Sequence, residues 1–313
     1  MIKIKIFGIG GAGNNTVNRI KKANIEGIEC VAINTDYQDL KKVRADVKLR
    51  IGKKTTLGLG AGMRPEIGEA AALESIEEIK NTLKDTDLLF LTYGAGGGTG
   101  TGAAPVIAEL AQKLQILTIA LVTLPFSFEG QTRRRIALEG IEKIREKVDS
   151  LLIIKNDRLL EILEPNVSVN EAFDFCDQIL KEAILSILHL IHNQGILKIN
   201  FADLKSILKN SGTALFATAR ASGENRIQKV INSVLTSPLL NLNPKGARGI
   251  LFNVAGENVS LKELKEIGKT LLLQINPQAK IIFGTVKDDT LKPDEIKLTL
   301  IATGFPNYDL QNY

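Results

Sequence analysis

The segment Gly94-Ala95-Gly96-Gly97-Gly98-Thr99-Gly100-Thr101-Gly102 follows the short apolar run Leu88–Thr92 and leads into the helical pattern Ala104–Leu114. A strand, a glycine loop and a helix in that order restrict what the loop can do. Successive glycine N–H groups form a nest for an anion, and Thr99 and Thr101 add hydroxyl donors. The helix is expected to begin near Ala103-Ala104-Pro105, where proline is tolerated because its missing N–H would be unpaired anyway. A flexible glycine hairpin would not account for two interleaved threonines ahead of a helix start. The loop lacks the Gly-Lys-Ser/Thr ending of a Walker A motif. A triphosphate is the ligand that best suits such a cradle.

A second glycine motif stands near the N-terminus. Gly8-Ile9-Gly10-Gly11-Ala12-Gly13 fits G-x-G-x-x-G, between the strand pattern Ile2–Phe7 and a helical stretch from Asn15. Glycines there let backbone approach a pyrophosphate at a helix N-terminus. Asp36, closing the next strand, stands roughly where a ribose-binding acid would. This motif alone would suit an NAD-dependent oxidoreductase, but such a fold has no use for a second phosphate cradle.

The first half alternates strand and helix patterns, with further strands at Glu29–Ile33, Leu117–Thr123 and Leu151–Ile154. Short apolar strands bounded by loops indicate a parallel sheet covered on both faces. The expected fold class is α/β: a doubly wound, Rossmann-like N-terminal domain over residues 1–168, a long central helix over 169–195, and a smaller C-terminal α/β domain with a mixed sheet over 196–313. The helix opens on a Ser168/Glu171 capping box, and Gly195 is its expected stop. Its apolar positions cover more than one stripe, which predicts a buried helix between two packed bodies. His189 and His192 lie three apart on it without a carboxylate or cysteine partner, so no metal site is expected. In the last third, helices come first, with strands at Ala247–Val254, Lys280–Val286 and Glu295–Thr303.

Composition excludes several function classes. No apolar run is long enough to span a bilayer, and no signal-peptide pattern opens the chain. Cys30 and Cys176 have no metal spacing and read as small buried side chains in a reducing compartment. A cytoplasmic location follows as an expectation. The net charge of +5 is scattered, and Arg133-Arg134-Arg135 reads as a solvated helix face, so no nucleic-acid partner is expected.

Gly96–Gly102 matches the tubulin signature, and the loops around it resemble the tubulin/FtsZ GTPase family over almost the whole chain. The matching segments are Gly10–Asn15 with Val17-Asn18-Arg19, Asn34-Thr35-Asp36, Gly58–Gly62, Pro125–Gly130 with Arg133, Asn156-Asp157-Arg158, Ala221–Glu224 and Ala302-Thr303-Gly304. The resemblance implies a GTP/GDP-binding protein that polymerises head to tail with itself, uses Mg2+ (K+ being a second candidate) and acts in cell division, at a division site. It implies that Gly11, Ala12, Gly94 and Gly96, Gly97, Gly98, Thr99, Gly100, Thr101 and Gly102 hold the phosphates, with Ala61 and Gly62 facing the γ-phosphate. Glu129 and Arg133 would take the ribose and phosphate side, Asn15 and Asp177 would read the base, and Phe173 would stack on it. Guanine offers N1–H and N2–H2 as neighbouring donors that one carboxylate can accept together.

The same resemblance implies that hydrolysis needs the next subunit, whose loop after the long helix supplies acids in the pattern N-x-D-x-x-D. Here that stretch is Lys198-Ile199-Asn200-Phe201-Ala202-Asp203. Asp203 survives, Asn200 replaces the first aspartate, and Lys198 replaces the asparagine. Asp203 and Asn200 are therefore the catalytic candidates, acting on the adjacent subunit's nucleotide, with hydrolysis expected to be slow or altered in its cation dependence. An amide accepts a hydrogen bond but takes no proton. A filament scaffold or regulator that hydrolyses slowly or not at all is the alternative reading. Leu57 and Arg64 also depart from the family pattern, and the chain stops at Tyr313, before the linker and docking segment of relatives; either it is trimmed or membrane-tethering partners are not used.

Overall fold

The computed structural model of the chain describes residues 2–305 except 24, 26, 165, 193–199, 241–245, 275, 277, 289 and 290, and only the backbone of 192 and 274. It divides into two compact units, the first ending at Glu182 and the second starting at Ala183.

The first unit alternates strand and helix: β1 (Ile4–Ile9), α1 (Gly10–Lys22), β2 (Ile28–Asn34), α2 (Tyr37–Lys42), β3 (Val47–Arg50), α3 (Pro65–Glu74), α4 (Ile76–Leu83), β4 (Leu88–Gly94), α5 (Gly98–Lys113) and β5 (Leu117–Leu124). A 3-10 turn at Ser127–Glu129, α6 (Gln131–Arg145), β6 (Ser150–Lys155) and α7 (Asn156–Leu160) follow, before α8 (Val169–His192), inside which the units divide. The sheet is parallel, in the order β3-β2-β1-β4-β5-β6. Every residue of β5, and of β4 up to Tyr93, is buried, because helices cover both faces of a sheet built from crossovers. The order reverses between β1 and β4, and ligands of doubly wound sheets bind in the crevice at such a switch point. Both glycine motifs leave the sheet there.

Two element starts differ from the sequence expectation. The second glycine segment is itself helical from Gly98, which leaves Pro105 inside α5 instead of at its start. Tertiary packing overrides glycine's poor propensity, because α3 approaches too closely for side chains: a Cβ at Gly98 would lie 2.8 Å from Ala61 Cβ, and one at Gly102 only 1.9 Å from the Pro65 carbonyl oxygen. Likewise α1 begins at Gly10, not Asn15. Asp36 does not close a strand; its carboxylate caps α2, accepting the Asp39 N–H at 3.0 Å.

α8 opens on the expected box: the Ser168 N–H donates to Glu171 at 2.8 Å, and the Glu171 N–H donates to Ser168 Oγ at 3.3 Å. Its Cys176, Leu180, Ile184, Ile187 and Leu188 are buried. The stop expected at Gly195 lies outside the described residues.

The second unit holds α9 (Phe201–Leu208), β7 (Gly212–Ala221), α10 (Arg226–Leu235), β8 (Gly249–Gly256), α11 (Leu261–Gln274), β9 (Lys280–Val286) and β10 (Ile296–Thr303). Its sheet is mixed, β7-β10-β8-β9, with β10 antiparallel to both neighbours and β8 parallel to β9. The sequence reading missed β7, whose alanines weaken the strand pattern. Pairing along β10 from Ala214 to Ala221 holds it extended. β3, four residues long, was missed as well. Among the described residues no helix is long and apolar enough to cross a membrane.

Candidate nucleotide-binding site

Two helices start at the carboxyl ends of β1 and β4, and neither is capped. The residue before α1 is Ile9 and the residue before α5 is Gly97; neither supplies a side-chain cap, and neither helix has an acid in its first turn. First-turn N–H groups with no internal partner, together with the positive end of the helix dipole, attract an anion. Gly11, Ala12 and Asn15 are exposed at the start of α1. Gly96 adopts φ +91°, and a Cβ there would come within 2.7 Å of Arg133, so only glycine allows Arg133 to lie across the loop.

The loop threonines serve the loop itself. Thr101 Oγ1 accepts the Gly96 N–H at 3.0 Å, and the buried Thr99 hydroxyl shares a 2.6 Å hydrogen bond with Thr35. They shape the cradle. Ala61 is buried against Gly98, whereas Gly62 is exposed at the turn before α3. Leu57 and Met63, beside this loop, also take left-handed backbone and are exposed, and Arg64 is the residue before α3.

A cleft beside the loops gathers Ala12, Asn15, Gly94, Glu129, Arg133, Phe173 and Asp177 from α1, β4, the 3-10 turn, α6 and α8. Glu129 is held at both oxygens: it accepts the Phe126 N–H at 2.8 Å and pairs with Arg133 Nη1 at 2.9 Å. Phe173 meets Phe126 edge-on at 5.2 Å between ring centroids and remains 39% exposed, so its ring is available for stacking. Asp177, one turn further along α8, is 8% exposed. Burial pushes its carboxyl up to about 6 against the opposing pull of Arg19, whose Nε lies 3.6 Å away.

The other expected phosphate residues, Gly11 and Gly96–Gly102, do not line this cleft but sit at the two helix starts and the loop beside it. Ala95, Thr123, Pro125, Asn156 and Cys176, which sequence reasoning did not name as ligands, complete the lining. Asn156 is buried and its Oδ1 has no hydrogen-bond partner. Its position in the Asn156-Asp157-Arg158 match was the available signal. The Cys176 thiol is free and buried, which pushes its pKa up to about 12, so it is inert.

Asn200 and Asp203 lie in the second unit. Both are exposed at the start of α9, where Asn200 Oδ1 caps the helix by accepting the Asp203 N–H at 2.8 Å. Lys198 lies outside the described residues. Among the described residues, no group of three or more His, Cys, Asp or Glu could hold a metal.

A doubly wound sheet with two uncapped helix starts at its switch point, beside a cleft with a buried carboxylate and a partly free aromatic ring, defines a nucleotide-binding protein. The comparisons narrow the class. Residues 3–164 match the model of the tubulin/FtsZ family GTPase domain, and residues 212–306 match that of the FtsZ family C-terminal domain. The chain is 44% identical over 303 residues to Cell division protein FtsZ 1 of Methanocaldococcus jannaschii, covering 96% of this chain and 83% of that protein. It is similar to an empty FtsZ dimer from M. jannaschii, with a TM-score of 0.94 and 43% identity over 98% of this chain and 89% of that one. A GTPγS-bound protofilament of CetZ2 from Haloferax volcanii shares the fold, with a TM-score of 0.84 at 19% identity over 98% and 95% of the two chains. The chain belongs to the tubulin/FtsZ family. It is an FtsZ homologue, a tubulin-like cytoskeletal GTPase of cell division, and the oxidoreductase and non-hydrolysing readings are not favoured.

Proposed function

We propose that GTP lies across the switch point with its phosphates on the starts of α1 and α5 and its guanine in the cleft. Asp177 accepts the two N–H donors of the guanine edge, with Asn15 beside it, and Phe173 stacks on the ring. Glu129 and Arg133 hold the ribose side, while Ala61 and Gly62 face the γ-phosphate. The observation that carries this reading is the pair of uncapped, acid-free helix starts beside the buried carboxylate of Asp177. Mg2+ would arrive with the triphosphate: the cradle residues Gly11, Ala12, Ala61, Gly62 and Gly96–Gly102 include no carboxylate, and Mg2+ keeps phosphate and water ligands. K+ is the second cation to test.

The cradle also offers no group to take a proton from water. Hydrolysis then depends on Asp203 of the next subunit in a head-to-tail filament, a heterologous contact that does not close on itself. Assembly and turnover become one coupled process, in the cytoplasm and at a division site. Asn200 accepts a hydrogen bond but no proton, so turnover is slower than with two acids. Sedimentation with GTP, with phosphate release followed in the same tube, tests the proposal. GTP-dependent pelleting with turnover that rises with assembly supports it. Turnover by protein that stays unassembled would refute it, as would preferential binding of ATP or NAD.

A further inference from the structure

Arg19 connects two helices of the first unit through two carboxylates. It projects from α1, the helix that begins at the first phosphate loop, and its Nη2 bonds Asp174 Oδ1 on α8. Its Nε lies 3.6 Å from Asp177 Oδ2. That distance is long for a hydrogen bond but short for an ion pair. Arg19 therefore makes its close contact with Asp174 and approaches Asp177 as a charge, which leaves the Asp177 oxygens free as acceptors on the cleft. The Asp177 side chain is 11% exposed and Arg19's is 31% exposed, so the charge is only partly screened.

The other charged or titratable groups around Asp177 do not substitute for it. Asp174 and the Cys176 thiol neighbour it on α8, and Asp174 opposes its ionisation. Glu129 and Arg133, also on the cleft, are paired with each other. We propose that Arg19 is a positioning residue for purine recognition, holding Asp177 ionised and oriented so that it can accept both N–H donors of the guanine edge. The role rests on Asp177 as the base-reading group. A protonated Asp177 would present an O–H to a guanine donor, and discrimination would be lost.

The test compares affinity for GTP with affinity for inosine triphosphate, which lacks the 2-amino group, from pH 5 to 8.5. The ratio cancels the ionisation of phosphates common to both nucleotides. In the wild type the preference for GTP falls on acidification, across the interval between the Asp177 pKa in the inosine triphosphate complex and its lower value in the GTP complex, because the titration of the free protein cancels in the ratio; the slope is at most about tenfold per pH unit. Arg19→Gln moves that interval up by about one pH unit. Arg19→Lys restores the wild-type profile, and Asp174→Asn moves the interval down. These opposite directions separate a charge effect from a folding defect, which would lower both affinities at every pH. A wild-type profile in Arg19→Gln, while Asp177→Asn abolishes the preference, would overturn the role of Arg19 alone. Preference that survives in Asp177→Asn would overturn the base assignment as well.

Discussion

Asn200 and Asp203 are joined by a helix cap: the Asn200 side chain accepts the Asp203 N–H at 2.8 Å, in the first turn of α9. The residue that stands where the resemblance implies an acid thus has a structural duty that aspartate performs equally well. Asn200→Asp is expected to keep the cap and raise phosphate release. Asn200→Ala loses the cap and costs about 1 kcal/mol of stability by denaturant titration. Asp203→Ala should leave GTP binding intact and abolish turnover. Phosphate release unchanged in Asn200→Asp would show that the lost acid does not limit the rate.

Gly102 lets α5 lie against α3. A Cβ there would stand 1.9 Å from the Pro65 carbonyl oxygen and 2.6 Å from the Glu69 nitrogen, both backbone atoms. Gly102→Ala is expected to push the helices apart, destabilise the protein by about 1–3 kcal/mol in urea unfolding and weaken GTP binding by displacing Ala61 and Gly62. Stability equal to the wild type would show that α3 yields without strain.

Asp177 costs stability when no nucleotide is bound. Its folded value of about 6 exceeds the ordinary 3.8, so the folded protein binds the extra proton between those values. The cost is absent below about pH 4, grows as pH rises through that window and is complete above pH 6. Asp177→Asn is therefore expected to stabilise the nucleotide-free protein at pH 7.5, by up to about 3 kcal/mol, with the gain vanishing towards pH 4. GTP affinity falls in the same variant. Thermal melts at the two pH values, with and without GTP, check both signs.

Phe173 meets Phe126 in a T-shaped contact and remains partly exposed. Phe173→Ala is expected to weaken GTP binding by about 1–3 kcal/mol, and Phe173→Tyr to retain most of it, measured by titration calorimetry. Equal losses in both variants would place the base elsewhere.

Local sequence signals determined a good deal: the strand–glycine–helix units at Gly10 and Gly96, the Ser168/Glu171 box and the alternation of strand and helix. Each depends on residues within a few positions of one another, where spacing fixes conformation. The individual ligand assignments came from the family resemblance. For Asp177 and Phe173 the resemblance was the only guide, since a carboxylate and an aromatic on a helix carry no local sign of a ligand. Tertiary structure alone placed them in one cleft with Asn15 and Glu129, because that proximity follows from strand order at the β1/β4 switch point. It also decided that α5 begins at Gly98, since only contact with α3 makes so many glycines helical, and that β7 is a strand, since pairing with the distant β10 holds it extended. Arg19 and Asp174 lie 155 residues apart and meet only in the folded chain. Glycine spacing is a short-range property, whereas the field around a buried carboxylate is set by whatever the fold brings beside it.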